Sequence, residues 1–342
     1  MAPPLPASQI HLHDPSATQV KRAYIIYFIT GNPGLIEYYR TFLTHLYGLL
    51  TQSSPSTTSI HVFGRSLSGF EAGTATENQG NGDGPFSLQE QISRSQSAIE
   101  KLVGDVQEKD GTQDVRVILM GHSVGSFILL EVIRRVKEKA KMERDAVRIA
   151  GGVCLFPTVT HIAKSDSGRK ATPLFTLPYF PFIAATLAHA LTFLLPLSLA
   201  SRLIQRLLSF PPNAAHTTAS FVKSPHGVHQ ALHMARDEMR EITEDTWSTE
   251  IWGLSSPNPS SAAVPLRFLF AQKDHWVASS TRDELMAARG RPESSHPSEA
   301  WKPVMEIDCS EGWEHGFCIR QSIPVAEKVG DWVRAMIEGD AA

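Results

Sequence analysis

Residues 115–136 read VRVILMGHSVGSFILLEVIRRV, and their character changes sharply at Gly121. Val115, Val117, Ile118, Leu119 and Met120 form a short β-branched and apolar run, the pattern of a strand buried on both faces. Val124, Phe127, Ile128, Val132 and Val136 then recur at the spacing of one helical face. Between the two stands Gly121-His122-Ser123-Val124-Gly125, a G-x-S-x-G pentapeptide at a strand-to-helix junction. Glycines two before and two after the serine leave the clearance that a sharp turn needs, so Ser123 Oγ is expected to stand above the sheet as a nucleophile. An ordinary tight turn is the competing reading. Because the turn opens a helix, free N–H groups and the positive end of the dipole point toward a developing oxyanion, and the N–H of Val124 is one candidate donor.

Upstream, residues 23–30 (AYIIYFIT) have strand length and run directly into Gly31-Asn32-Pro33-Gly34. A plain β-turn would use the same residues. Ahead of a nucleophile turn, however, this is where a hydrolase of this layout places its second oxyanion donor. Asn32 is the candidate, since Pro33 has no N–H to give and instead stiffens the loop. Residues 38–50 then carry Tyr39, Phe42, Leu43, Leu46 and Leu50 at helical spacing, 59–63 read as a strand, and 88–106 as an amphipathic helix. Residues 64–87 read as an exposed loop, and the densely charged 134–148 as the solvated end of a helix. A further strand at 147–156 completes an alternation of strand and helix that implies α/β architecture with a mostly parallel sheet.

Residues 171–201, ATPLFTLPYFPFIAATLAHALTFLLPLSLAS, contain no Asp, Glu, Lys or Arg. Pro173, Pro178, Pro181 and Pro196 interrupt this segment and leave 182–195 as the unbroken helical candidate. At 1.5 Å per residue that is about 21 Å, short of a hydrocarbon core of about 30 Å, so it should not span a bilayer. A cap over the active site, a segment embedded in one leaflet or lipid surface, and a buried core helix all remain open. Phe175, Tyr179, Phe180, Phe182, Phe193 and Leu194 are the candidate lipid contacts, with the aromatic residues clustered as at membrane interfaces. His226, His229, His233 and Asp237 share one face of a helix read at 224–242. Four positions spread over three turns cannot converge on one ion, so no metal site is expected.

A serine at neutral pH needs a base, and the base needs an acid to fix its tautomer. The expected chain order is Ser, then Asp or Glu, then His. Residues 264–271 (VPLRFLFA) read as a strand ending just before Asp274, and 301–307 as a last strand before a loop that holds His315 and a final helix. Asp245 and Asp308 compete for the acid, and His275 and His296 for the base. His122, beside the nucleophile, is read as shaping the turn.

The chain has 342 residues, a formal net charge of −3 and three cysteines, Cys154, Cys309 and Cys318. Mixed charge gives no polyanion signature, so nucleic acid is not an expected partner. An odd set of cysteines without a C-x-x-C pair argues against a disulfide framework or structural zinc. The first residues lack the basic start and apolar core of a secretory signal.

The pairing of Gly31-Asn32-Pro33-Gly34 with Gly121-His122-Ser123-Val124-Gly125, the late Asp274 and His315, and the apolar insertion between them resembles the lipid droplet-associated hydrolase family of α/β-hydrolases. The resemblance runs from about residue 23 to the last helix. It implies an α/β-hydrolase fold with a Ser123-Asp274-His315 triad and attachment to lipid droplets and the endoplasmic reticulum, on their cytosolic face, through the apolar segment. It also implies hydrolysis of neutral lipid or sterol esters without a cofactor. The sequence departs from the family at 73–84, 255–261 and 291–297. On this reading 1–22 is an N-terminal extension, 23–156 and 261–342 are the two parts of the hydrolase core, and 157–260 is an apolar helical cap. A droplet-binding or tethering protein that keeps the fold with little activity is the rival, and oligomeric state has no signature.

Overall fold

The computed structural model describes residues 7–14, 20–52, 57–70, 84–143, 146–253, 264–291, 299 and 301–341. One sheet of seven strands organises them: β1 (Gln9–Leu12), β2 (Arg22–Ile29), β3 (Thr58–Arg65), β4 (Val115–His122), β5 (Arg148–Leu155), β6 (Leu266–Ala271) and β7 (Val304–Asp308). Their spatial order is β1-β3-β2-β4-β5-β6-β7, and every pair is parallel except β1 with β3. This is the α/β-hydrolase fold. Parallel pairing demands crossovers, and the helices that make them cover both faces. α1 (Arg40–Thr51) and the last helix, α10 (Ser322–Ala341), pack together on one face, while α2 (Leu88–Asp110) and α3 (Val124–Ala140) pack on the other.

Strand β2 shows why its run is continuously apolar. Tyr24, Ile26 and Phe28 enter the core under α1 and α10, whereas Ile25, Tyr27 and Ile29 enter the core under α2 and α3. The period-two alternation of a strand thus divides one sequence between two cores. Helix α2 starts where the Ser87 hydroxyl accepts the Glu90 N–H and the Glu90 carboxylate accepts the Ser87 N–H, a reciprocal cap. It stops at Gly111, whose φ of 66° suits a residue without a side chain.

Among the described residues five α-helices lie between β5 and β6: α4 (Asp166–Phe175), α5 (Phe180–Phe193), α6 (Leu197–Leu208), α7 (Pro212–Lys223) and α8 (Gly227–Glu241). Among the described residues no single helix is long and apolar enough to cross a membrane. α4 and α5 together have the length and composition, but they are bent by 99°. Pro173 does not interrupt its helix as the sequence suggested. It sits in the last turn of α4, where losing one hydrogen bond ends the helix soon after instead of preventing it. Pro181 opens α5, and Pro196 stands at the N-cap of α6.

The cap wears its apolar residues outward. Apart from Met142 and Ile323, every large hydrophobic residue described as exposed lies between 174 and 208. Tyr179, Phe182, Phe193 and Leu194 are among them, Leu194 being 87 % exposed. Phe175 and Phe180, also expected to face lipid, are instead half-buried: their rings meet edge to face, 5.8 Å apart, at the α4–α5 bend, and Phe175 packs against the core. The bend is what diverts them.

Besides α4, three strands or α-helices have no clear signal in the sequence. β1 lies within the segment taken as an N-terminal extension and forms the sheet's antiparallel edge; four residues with one buried side chain leave almost no period to detect. α7 and α9 (Ser279–Arg289) are short and mostly polar or small. Most of the loop expected at 64–87, the polar additions at 255–261 and 292–297, and His296 fall outside the described residues.

Phe42 on α1 is fully buried and packs on Phe28, with ring centroids 5.7 Å apart. Phe42→Ala is expected to cost about 3–5 kcal/mol in a urea unfolding curve. Met142→Ala, at a site 92 % exposed, should stay within about 0.5 kcal/mol.

Candidate active site

The carboxyl ends of β2, β4, β6 and β7 supply the loops that hold Asn32, Ser123, Asp274 and His315, the end of an open α/β sheet at which ligands bind. Ser123 follows β4 with φ 53° and ψ −123°, a left-handed backbone that an L-residue adopts at a cost. The flanking glycines make that turn possible. A Cβ on Gly121 would drive into the carbonyl of Gly125, and a Cβ on Gly125 would drive into the carbonyls of Ile29 and Thr30 at the end of β2. The turn is also tied to β5, because Ser123 N–H donates to Leu155 O at 3.0 Å.

Ser123 Oγ lies 3.0 Å from His315 Nε2, and His315 Nδ1 lies 2.7 Å from Asp274 Oδ2. Asp274 is fixed by its own turn: its Oδ1 accepts the Trp276 N–H at 2.7 Å and the Val277 N–H at 3.3 Å, leaving Oδ2 for the histidine. Burial pushes this carboxyl upward, but the His315 imidazole and the Trp276 N–H outweigh it and hold the group below the usual carboxylate range. Asp274 is therefore an anion that accepts the Nδ1 proton, which leaves Nε2 free to accept the Ser123 hydroxyl proton.

Other carboxylates have other work. Asp308 takes the Ser310, Glu311 and Trp313 N–H groups and so shapes the loop that leads to His315. Asp245 is committed to Arg289, Trp247 N and Trp252 Nε1. His275 has its ring 6.0 Å from that of His315, without a hydrogen bond between them among those described.

His122 turns inward. Its Nε2 meets the carbonyl of His315 at 2.8 Å; a carbonyl can only accept, so Nε2 carries the proton and Nδ1 accepts from the Tyr39 hydroxyl at 2.7 Å. The same Tyr39 oxygen accepts the Gly31 N–H at 3.2 Å. One buried tyrosine and one buried histidine thus join the loop after β2, the turn at Ser123 and the loop after β7. In the sequence Tyr39 falls on the apolar face of the 38–50 helix, and nothing in its spacing marks it otherwise. Burial, with a smaller contribution from His315, lowers the His122 imidazole to about 3, so it stays neutral.

The loop after β2 sits tightly on the turn. A Cβ on Gly31 would come within 2.8 Å of His122 Nδ1 and 3.2 Å of the Ser123 Cβ, and one on Gly34 would strike Leu67 and Phe70. The Asn32–Pro33 peptide is cis. Asn32 Nδ2 donates to the Ala231 carbonyl and to Glu238 Oε1, both at 2.9 Å. Val124 opens α3, where an N–H has no partner within the helix. Thr158 Oγ1 stands 3.5 Å from Ser123 Oγ. No group of His, Cys, Asp or Glu among the described residues is arranged to hold a metal ion; of the helix-face set, His233 meets Asp237 at 3.6 Å.

A family model described as lipid-droplet associated hydrolase matches residues 22–318. The lipid droplet-associated hydrolase of Gallus gallus is 27 % identical over 309 residues, 90 % of this chain and 83 % of that protein. The protein of the same name in Drosophila melanogaster is 27 % identical over 321 residues, covering 91 % and 89 % of the two chains. Among solved structures, that of wild-type DBJA aligns with a TM-score of 0.56 and 13 % identity over 97 % of this chain and 96 % of its own, a likeness of fold.

The neutral state of His122 has a pH signature. Its folded value of about 3 lies below its ordinary 6.5, so below pH 6.5 the unfolded chain takes up a proton that the folded chain refuses. Stability should fall as pH drops from 6.5 toward 3, by up to about 1.4 kcal/mol per unit from this group. His122→Gln should flatten the slope by that amount in denaturant titrations at stepped pH.

Proposed function

The chain belongs to the lipid-droplet associated hydrolase family, and on that premise we propose that it is a serine ester hydrolase acting on neutral lipid or sterol esters at the surface of a lipid droplet. The family and the fold support hydrolase chemistry. The reading of mechanism rests on one observation, the hydrogen-bonded series Ser123 Oγ, His315 Nε2, His315 Nδ1, Asp274 Oδ2.

His315 Nε2 takes the Ser123 proton as Oγ attacks the ester carbonyl. Asp274 holds the ring and stabilises the imidazolium. The N–H groups of Val124 and Asn32 receive the developing oxyanion. As the tetrahedral intermediate collapses, the bond to the alcohol oxygen breaks and His315 returns its proton to that oxygen. Water then attacks the acyl-enzyme with His315 as base, releasing the acid and restoring Ser123.

The cap supports that location. Leu199, Leu203 and Leu207 form one exposed stripe on α6 at four-residue spacing, flanked by the exposed Arg202 and Arg206. On α5 and just beyond it, Phe182, Leu187, Leu191 and Leu194 are exposed as well, and exposed apolar residues in such number are of a kind that water-facing monomers rarely leave open. An apolar stripe edged by arginines suits a phospholipid monolayer, with leucines among the acyl chains and guanidinium groups among the phosphates.

Ser123→Ala should lower kcat by about 10⁴ to 10⁶ and abolish labelling by a fluorophosphonate probe. Turnover unaffected by that change would refute the nucleophile. Absence of labelling in the folded wild type, with effects on droplets that survive Ser123→Ala, would favour a tethering protein. Replacing the exposed Leu187, Leu191 and Leu194 together by Ser should move the protein from the floating droplet fraction to the soluble fraction without lowering Tm, because these side chains are not part of the core.

A further inference from the structure

Helix α8 belongs to the cap, yet one of its carboxyl groups reaches the loop beside the nucleophile. Glu238 is buried, and its Oε1 accepts one N–H of the Asn32 side-chain amide at 2.9 Å. The second N–H of that amide goes to the Ala231 carbonyl, two helical turns earlier on α8, also at 2.9 Å. Because a backbone carbonyl can only accept, the amide nitrogen must face α8, and both of its protons are spent on the cap.

We propose that Glu238 is a positioning residue for the oxyanion loop: it grips the Asn32 side chain so that the Asn32 main-chain N–H is held against the nucleophile turn, and the oxyanion hole is complete only with α8 in place. This rests on the serine hydrolase reading above.

Three further contacts give the grip something firm to pull against. Gln230 of α8 accepts the Phe86 N–H and donates to the Phe86 carbonyl, at 2.6 and 2.8 Å. Asp237 accepts the N–H of Leu88, the first residue of α2, at 3.3 Å. Just after the same loop in the chain, Tyr38 Oη and Thr218 Oγ1 of α7 are 2.8 Å apart. The cap is thereby anchored to the hydrolase core on one side and closed over the oxyanion loop on the other. α8 also packs against α5, where Phe182 meets the His229 ring at 6.0 Å, so the helix that faces outward and the loop that faces the substrate share one support.

Burial, with a smaller contribution from Asp237, raises the Glu238 carboxyl to about 8 against the pull of Asn32, and the group is neutral at pH 7. Glutamine therefore reproduces its shape, charge and acceptor oxygen, whereas alanine removes the acceptor.

The test uses the full chain in detergent, with a soluble short-chain p-nitrophenyl ester as substrate and fluorophosphonate labelling to count active sites. Glu238→Ala is expected to lower kcat per labelled site by about 10- to 100-fold, a partial loss of one oxyanion donor, with KM changed less than threefold. Glu238→Gln should restore kcat to within about threefold. Asn32→Ala, which leaves Glu238 in place and so serves where the alanine variant of Glu238 does not fold, should show the same kcat-selective loss. The double variant should be no slower than the slower single variant, since both remove one contact. A wild-type kcat per site in Glu238→Ala, or a Gln variant as impaired as the Ala variant, overturns the proposal while the serine reading stands. A wild type without Ser123-dependent labelling overturns both.

Discussion

The arrangement depends on a carbonyl-to-carbon contact that no side chain can share. Gly125 packs its Cα against the carbonyls of Ile29 and Thr30, and Gly121 packs against the carbonyl of Gly125. Only that closeness lets β4 end, turn through a left-handed serine and become α3 within five residues. The same contact fixes where the loop after β2 begins, and so sets Gly31 against His122 and Ser123. Ser123 and the loop after β2 are placed by a single steric fit. Side-chain hydrogen bonds refine it afterwards: Tyr39 ties Gly31 to His122, and His122 ties the turn to the carbonyl of His315.

The cap obeys a different rule. In the core, apolar residues point inward and the two faces of β2 serve two clusters. Between 174 and 208 most large apolar residues point outward, Phe175 and Phe180 excepted, while the polar contacts that seat the cap, through Asn32, Tyr38, Phe86 and Leu88, point in. Such a cap cannot be held by the burial of its own leucines in water. It is held instead by the burial of other apolar residues, Met234, Met239 and Ile242 among them, and by hydrogen bonds to the core, two of which seize the side chain of Asn32. An exposed apolar skin and a polar inner face are what a lipid surface above and a hydrolytic site below would each require.

How much of this could be read from the sequence follows from the physics of each part. Ser123, Asp274 and His315 could be singled out because each lies in a loop that follows a legible apolar or β-branched strand, and strand ends determine which loops meet. The glycines of 31–34 and 121–125 could be located because backbone crowding excludes other residues. Asp308 competes as an acid because it closes a strand; only its bonds to the N–H groups of Ser310, Glu311 and Trp313 separate a loop organiser from a charge partner of the histidine. Phe175 and Phe180 went astray because composition cannot foresee a 99° bend that turns two rings against each other. Glu238 was invisible for a related reason. It sits on a helix whose face reads as polar, and its partner Asn32 lies some two hundred residues away, beyond any periodicity.

The electrostatics of the site follow from the same burial. His122 is pushed down to about 3, Glu238 up to about 8 and Cys318 up to about 12, each chiefly by loss of water. At neutral pH all three are therefore uncharged. Asp274 is as firmly buried in side chain, yet it stays ionised because His315 and the Trp276 N–H compensate it. Of these four groups around the turn, one carries charge, and it lies behind the imidazole on the side away from Ser123. A positive ring formed during catalysis would then meet its counter-charge at 2.7 Å through little solvent. On the other side of Ser123 the positive end of α3 would face the oxyanion with no competing anion among these groups. Charge separation across the serine is thus favoured by where water is excluded, and the neutral state of Glu238 lets the cap grip Asn32 without setting a negative charge beside the oxyanion loop.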